Sequence, residues 1–140
     1  MTDFVSDIKT IPYGNKSVYE TLADLNNLER VKNQAQSGKI EDFTFDRDSC
    51  SFSMSPVGKF RFSIVAREPL KTIKFSADQA PVDANMWIQL QKTGEQETKM
   101  KLTIRVGLNP FIKPLISDQI QEGINRIADV LAKIQYETLA

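Results

Sequence analysis

Histidine is missing from the 140 residues of this chain. Its absence removes Ser-His-Asp and Cys-His nucleophile activation and every histidine-ligated metal site; carboxylate, lysine and tyrosine acid–base chemistry stay open. Cysteine occurs once, at Cys50, so no internal disulfide can form, which fits a reducing compartment. Excess charge of either sign is also lacking: 18 basic and 18 acidic residues give a formal net charge of zero. Nucleic-acid-binding domains usually carry a basic excess or stripe, so no nucleic-acid partner is expected. No apolar run approaches the ~18 residues of a membrane span. The first residues, Met1 to Asp7, lack a basic stretch followed by an apolar one, so no signal peptide is expected and the cytoplasm is the expected compartment.

What remains is ordinary globular composition, 41% hydrophobic and 26% charged. It is enough to bury a core, and no linker, repeat or low-complexity tract divides it. One domain over residues 1–140 is expected. The dominant stretch is Asn109 to Tyr136. At helical spacing it carries one apolar stripe: Ile112, Ile116, Ile120, Ile124, Ile127, Val130, Leu131 and Ile134. Asp118, Glu122, Arg126, Asp129 and Lys133 fall on other faces, so this is an amphipathic helix that needs a partner surface. About 25 residues give roughly 37 Å, long enough to cross a whole sheet. Asn109-Pro110 opens it, and Pro114 forces a kink or a restart. Gly123 lies within the stripe, where close packing is favoured over a recess.

The rest of the chain supplies that surface. Phe4 to Ile11 reads as a first strand, ended by Pro12-Tyr13-Gly14. Its apolar residues split between two faces, so its inward side is not set by pattern. Asn15 or Ser17 then starts a short helix. Ser17 with Glu20 has the form of a capping box, and Leu25, Leu28 and Val31 continue the apolar period after an interruption at Asp24 to Asn27. From Ile40 the period becomes two. Phe43 and Phe45, then Cys50, Phe52 and Met54, then Phe60, Phe62, Ile64 and Ala66, alternate with polar residues. Ile73 and Phe75, then Met86, Ile88 and Leu90, then Met100, Leu102, Ile104 and Val106 do the same. These six strands, joined by short turns, form an antiparallel meander. The fold class expected is α+β: a curved, seven-stranded antiparallel sheet gripping a long C-terminal helix, with two short helices after the first strand. The sheet would be roughly 29 Å wide and must twist.

The order strand, two short helices, six-strand meander and long C-terminal helix resembles the START-like, or SRPBCC, superfamily. This is the helix-grip fold of Bet v 1, the polyketide cyclase/dehydrase-like proteins and lipid-transport proteins. The segment Ser17 to Leu28 and the lead-in Asn109 to Ile116 are the most similar. The resemblance implies an apolar cavity between helix and sheet holding a small hydrophobic molecule such as a lipid, sterol, quinone or polyketide. It also implies a cavity mouth near the start of the long helix, where Phe111, Ile112, Leu115 and Ile116 would form a gate or a patch for a membrane or partner.

The residues that would line such a cavity are Tyr19, Phe43, Phe45, Phe52, Met54, Phe60, Phe62, Ile64, Phe75, Met86, Ile88, Met100, Leu102, Ile104, Ile116, Ile120 and Ile124. A plain core and a ligand-sized cavity both fit this set. No catalytic signature, metal-ligand cluster or cofactor motif is present. Tyr13, Tyr19, Cys50 and Gln119 could supply polar atoms at the cavity edge, as could Asp7 or Lys9 if the first strand faces inward. Cys50 reads as a small buried hydrophobe. Trp87 falls on the outward face as a potential contact patch, and Arg61, Arg67, Lys99, Lys101 and Arg105 read as a solvated sheet surface. The function expected is binding of a small hydrophobic ligand by a monomer or weak homodimer, with room for transient membrane contact. A ligand-free interaction scaffold and a polyketide cyclase-like enzyme are the alternatives.

Overall fold

The structure is a computed structural model. It describes residues 1–31, 40–54, 58–134 and 136, and side chains within these except at 29–31 and 40. The strands are β1 (Thr2–Val5), β2 (Lys9–Ile11), β3 (Ile40–Phe45), β4 (Ser49–Met54), β5 (Gly58–Glu68), β6 (Thr72–Gln79), β7 (Ala84–Gly94) and β8 (Glu97–Val106). Helix α1 (Asn15–Leu22) and a 3-10 helix (Leu25–Val31) lie between β2 and β3, and α2 (Lys113–Ala132) follows β8. The strands form one curved antiparallel sheet of eight, in the order β1-β8-β7-β6-β5-β4-β3, with β2 also on β8.

The expected first strand is two strands. Val5 pairs with Thr103 and Lys9 with Met100, so this side holds one more residue than β8 between the two pairs. At that bulge the Ser6 N–H donates to the Leu102 carbonyl (2.8 Å), and the Leu102 N–H donates to Ser6 Oγ (2.9 Å). The hydroxyl stands in for a backbone acceptor. The extra residue shifts the alternation, which is why Phe4 and Ile11, of opposite parity, are both buried.

The meander follows the expected alternation over most of its length, with register shifts at Glu41/Thr44 (where Asp42 has φ 58°), Arg61/Phe62, Ile64/Ala66 and Lys92/Gly94. β5 shifts register between Ile64 and Ala66, so Ile64 is half-buried and Ala66 exposed. The turn after β5 places the exposed, non-glycine Leu70 at φ 67°.

Both ends of the long helix are shorter than the sequence period suggests. Asn109 Oδ1 accepts from the N–H groups of Phe111 (2.9 Å) and Ile112 (3.0 Å), closing a turn. The regular helix starts only at Lys113, with Pro114 in its first turn, where its missing N–H costs nothing. Pro114 therefore marks a restart. The apolar stripe is buried from Ile116 to Ile134 apart from the half-buried Ile127, and Gly123 and Ala128 are buried with it. The capping-box reading of Ser17 and Glu20 is corrected: α1 begins at Asn15 behind Gly14, and Ser17 lies inside it, its carbonyl accepting from Thr21 Oγ1 (2.8 Å). A Cβ on Gly14 would stand 2.7 Å from the Glu95 carbonyl oxygen, so glycine lets α1 start against the β7–β8 turn.

The two flanks of α2 differ. On one, residues spaced a turn apart meet alternate residues of the edge strand. Gln121 Nε2 donates to the Val5 carbonyl (2.8 Å), the Asp7 N–H donates to Asn125 Oδ1 (3.0 Å), and Lys9 pairs with Asp129. A sheet edge exposes unpaired backbone groups, and this flank satisfies two of them. It also corrects the expectation for Asp7 and Lys9: Asp7 is exposed and Lys9 reaches Asp129, so neither serves the interior. The other flank of α2 faces the candidate site.

Candidate functional site

Between the C-terminal half of α2, the 3-10 helix and the inner face of the sheet lies a cavity of about 50 Å³ whose wall is wholly apolar. Ile127, Val130 and Leu131 contribute from α2, and Leu25 and Leu28 from the 3-10 helix. Phe43, Phe45, Cys50, Phe52, Phe75, Met86, Ile88 and Leu102 contribute from the sheet. A cavity of this size costs about 1 kcal/mol at ~24 cal/mol per Å³. The burial of these residues follows from their sequence: inward positions of period-two strands meet the stripe of a period-3.6 helix.

One side of the wall is aromatic. Phe45 pairs in register with Cys50, Cys50 with Phe62, and Phe52 with Phe60. The rings form a contiguous group: Phe43 to Phe45 at 5.4 Å, Phe43 to Phe52 at 5.2 Å, Phe52 to Phe60 at 5.7 Å and Phe60 to Phe62 at 5.9 Å. Such pairs contribute about 0.5–1.5 kcal/mol each beyond burial.

Of the expected lining set, Phe43, Phe45, Phe52, Phe75, Met86, Ile88 and Leu102 meet at this cavity. The others are elsewhere. Tyr19, Met54, Phe60, Phe62, Met100, Ile104, Ile116, Ile120 and Ile124 are buried in the surrounding core, and Ile64 is half-buried against it. Placement explains the difference: the cavity sits toward the end of α2 that carries Ile127 to Leu131, while Ile116 to Ile124 belong to its first turns. Leu25, Leu28, Ile127, Val130 and Leu131 were legible as apolar stripe residues but not as wall. Only the folded arrangement of the 3-10 helix, α2 and the sheet brings them to one cavity.

Among the described residues of the wall, the ionisable group is Cys50. Burial pushes its thiol up to about 12, so it is a neutral, weakly polar surface near neutral pH. The other polar candidates are not at the wall. Tyr13 packs edge-on against Tyr136 at 5.9 Å, and Tyr136 Oη donates to the Leu131 carbonyl at 2.6 Å. Burial also raises the Tyr136 phenol. Gln119 is half-buried on α2, away from the wall.

The expected gate at the start of α2 does not reach this cavity. Ile116 is buried in the core, while Phe111 (88% exposed), Leu115 (70%) and Ile112 (40%) stand in solvent. Trp87 is not an open patch: Lys74 and Arg105 lie over its ring at 5.6 and 5.4 Å from the centroid, and Arg105 also pairs with Asp3 at 2.8 Å. Arg61 pairs with Asp78 and Arg67 with Asp48. Arg67 also donates to the Ala23 carbonyl at 2.9 Å, tying the end of α1 to β5. Among the described residues no helix is long and apolar enough to cross a membrane.

Neither a protein-family model nor a curated protein matches the sequence. Solved structures do match the fold. A START superfamily protein from Mycobacterium smegmatis superposes with a TM-score of 0.71 at 10% identity, covering 99% of both chains. A norcoclaurine synthase point mutant from Thalictrum flavum, in complex with a transition-state analogue, gives 0.74 at 12% identity, covering 99% of this chain and 98% of that one. A Thermus thermophilus protein gives 0.68 at 16% identity over 94% and 95%. At these identities the likeness shows the fold.

Proposed function

From the START-like helix-grip fold as premise, we propose that this chain binds a small hydrophobic molecule between the C-terminal half of α2 and the aromatic half of the sheet. The observation that supports this reading is the apolar cavity between α2, the 3-10 helix and the inner face of the sheet. Apolar pockets at the junction of a helix and a sheet suit ligands such as a lipid, a quinone or a polyketide. As it stands, the cavity accommodates little more than a water-sized object, whose share of liquid volume is about 30 Å³. Ligand entry therefore widens it, by movement of Met86, an adaptable side chain, and of the apolar flank of α2. Fold analogy supports a small-molecule site: a norcoclaurine synthase of like fold is seen in complex with a transition-state analogue.

A binding role takes precedence over a catalytic one because Cys50, the ionisable group of the wall, has its thiolate suppressed by burial. A general base needs a proton affinity near the working pH. The reading is tested by amide chemical-shift mapping during titration with a C12 fatty alcohol. Binding at the site shifts Leu28, Phe43, Val130 and Leu131 together and saturably. Shifts scattered over the outer face, or none, would sink it.

The scaffold reading has an observation of its own, the exposed Phe111, Ile112 and Leu115. A protein partner seated there would be lost on Phe111→Ser with Leu115→Ser, with the fold intact by circular dichroism. A partner that persists in the double variant would remove this reading.

A further inference from the structure

Among the described residues one buried side-chain polar atom meets no hydrogen-bond partner: Gln119 Oε1. Such orphans are rare, because an unsatisfied buried acceptor forfeits its bond to water without replacement. The residue itself is half-buried, so it lies at the margin between helix and sheet rather than deep in the core.

Its place on α2 gives the orphan a meaning. At helical spacing Gln119, Gly123, Ile127 and Val130 lie along one flank, opposite the flank whose Gln121, Asn125 and Asp129 meet the edge strand. Ile127 and Val130 line the apolar cavity. Gly123, buried between them and Gln119, puts no side chain on that track. One turn before Gln119 the same side of the helix carries the exposed Leu115. From the start of α2 the flank thus runs from exposed apolar surface, past an unpaired carbonyl oxygen and a residue without a side chain, to the apolar wall. Gln119 and Ile127 are eight positions apart, about 12 Å along the axis.

We propose that Gln119 is the polar anchor of the ligand site: its Oε1 accepts a hydrogen bond from a hydroxyl or N–H at one end of the ligand, whose apolar body passes Gly123 and ends in the cavity at Ile127. This rests on the ligand-binding reading above and adds the chemical class. The ligand is an amphiphile with an apolar body on the order of 12 Å long and a neutral donor at its end.

The test uses two isomers, decan-1-ol, which donates, and 1-methoxynonane, which only accepts. Both are titrated calorimetrically into the whole protein and its Gln119→Leu and Gln119→Glu variants. The carboxyl group that Q119E introduces keeps an acceptor oxygen whether protonated or charged. Wild type should bind the alcohol about fivefold more tightly than the ether, the worth of one hydrogen bond. Q119L should bind both with the affinity wild type has for the ether, and Q119E should keep the preference. Q119L should also raise the thermal midpoint of the ligand-free protein, since it removes an unsatisfied acceptor. Equal binding of both isomers to wild type, or a preference that survives in Q119L, overturns the anchor and leaves the ligand-binding reading standing. Failure of both isomers to bind any of the three proteins overturns the reading and the anchor with it. A lowered midpoint in Q119L overturns the orphan status on which the anchor depends.

Discussion

The two sides of α2 solve opposite problems. Toward β1 and β2 the helix meets a sheet edge, where backbone donors and acceptors have no strand partner, and it answers with Gln121, Asn125 and Asp129. On the other side it faces an apolar cavity bordered by a phenylalanine cluster, and it answers with Ile127, Val130 and Leu131. Directional polar bonds fix the register of the first side. Dispersion and burial hold the second, and these tolerate a shift or a guest far better. One helix is thus pinned along one side and adaptable along the other, which is the division a ligand-binding grip needs.

The largest effect should follow from removing the aromatic half. Phe62 is fully buried beside Phe52 and Phe60, so Phe62→Ala should lower urea-unfolding stability by ~3–5 kcal/mol. A cost below about 1 kcal/mol would mean that the aromatic half is not core. Next in size is a change that fills the cavity. Cys50 lies in its wall, and Cys50→Leu should stabilise the ligand-free protein by about 1 kcal/mol while weakening binding of a hydrophobic ligand at least tenfold. Stabilisation with unchanged affinity would separate the cavity from function.

On the polar side the effects are smaller. Asn125→Ala removes the acceptor for the Asp7 N–H and should cost ~0.5–1 kcal/mol. Amide exchange should quicken at Asp7 and leave the meander unchanged; protection unchanged at Asp7 would show that the bond contributes nothing. The smallest effect is a dependence on acid. Asp129 is held below the usual carboxylate range first by its hydrogen bond from Lys9, and Asp46 first by that from Ser49. With folded values below unfolded ones, their contribution is present above about pH 4 and fades as pH falls through the lowered values. Asp129→Asn should therefore flatten the acid limb of the stability curve, whereas an unaltered limb would assign acid sensitivity elsewhere.

The contrast between the flanks also marks what was legible in the sequence. Strict alternation over Cys50, Phe52 and Met54, and the isoleucine stripe of α2, carry their own period, so the meander, the closing helix and the inward faces follow from local pattern. The bulge at Ser6 does not, because a hydroxyl replacing a carbonyl leaves no period to read, and so the inward face of the first strand stayed open. Asn109 through Ile112 look helical by spacing, but the Asn109 side chain closes a turn that competes with the helix. The cavity wall was half legible. Strand residues such as Phe43 and Phe52 point inward by parity. The contribution of Leu25, Leu28 and Leu131 depends on how elements distant in sequence dock. Gln119 was legible as one of several possible polar residues at the cavity edge; that its oxygen lacks a partner is a property no pattern encodes.

The central claim is that the apolar flank of α2 and the aromatic half of the sheet enclose a small hydrophobic molecule. Native mass spectrometry of gently purified protein, beside an organic extract of the same sample, tests it most directly. A bound ligand should appear as a discrete added mass, recovered in the extract as a neutral amphiphile and diminished in Cys50→Leu. A clean protein mass that persists after incubation with fatty alcohols, quinones and sterols would contradict it.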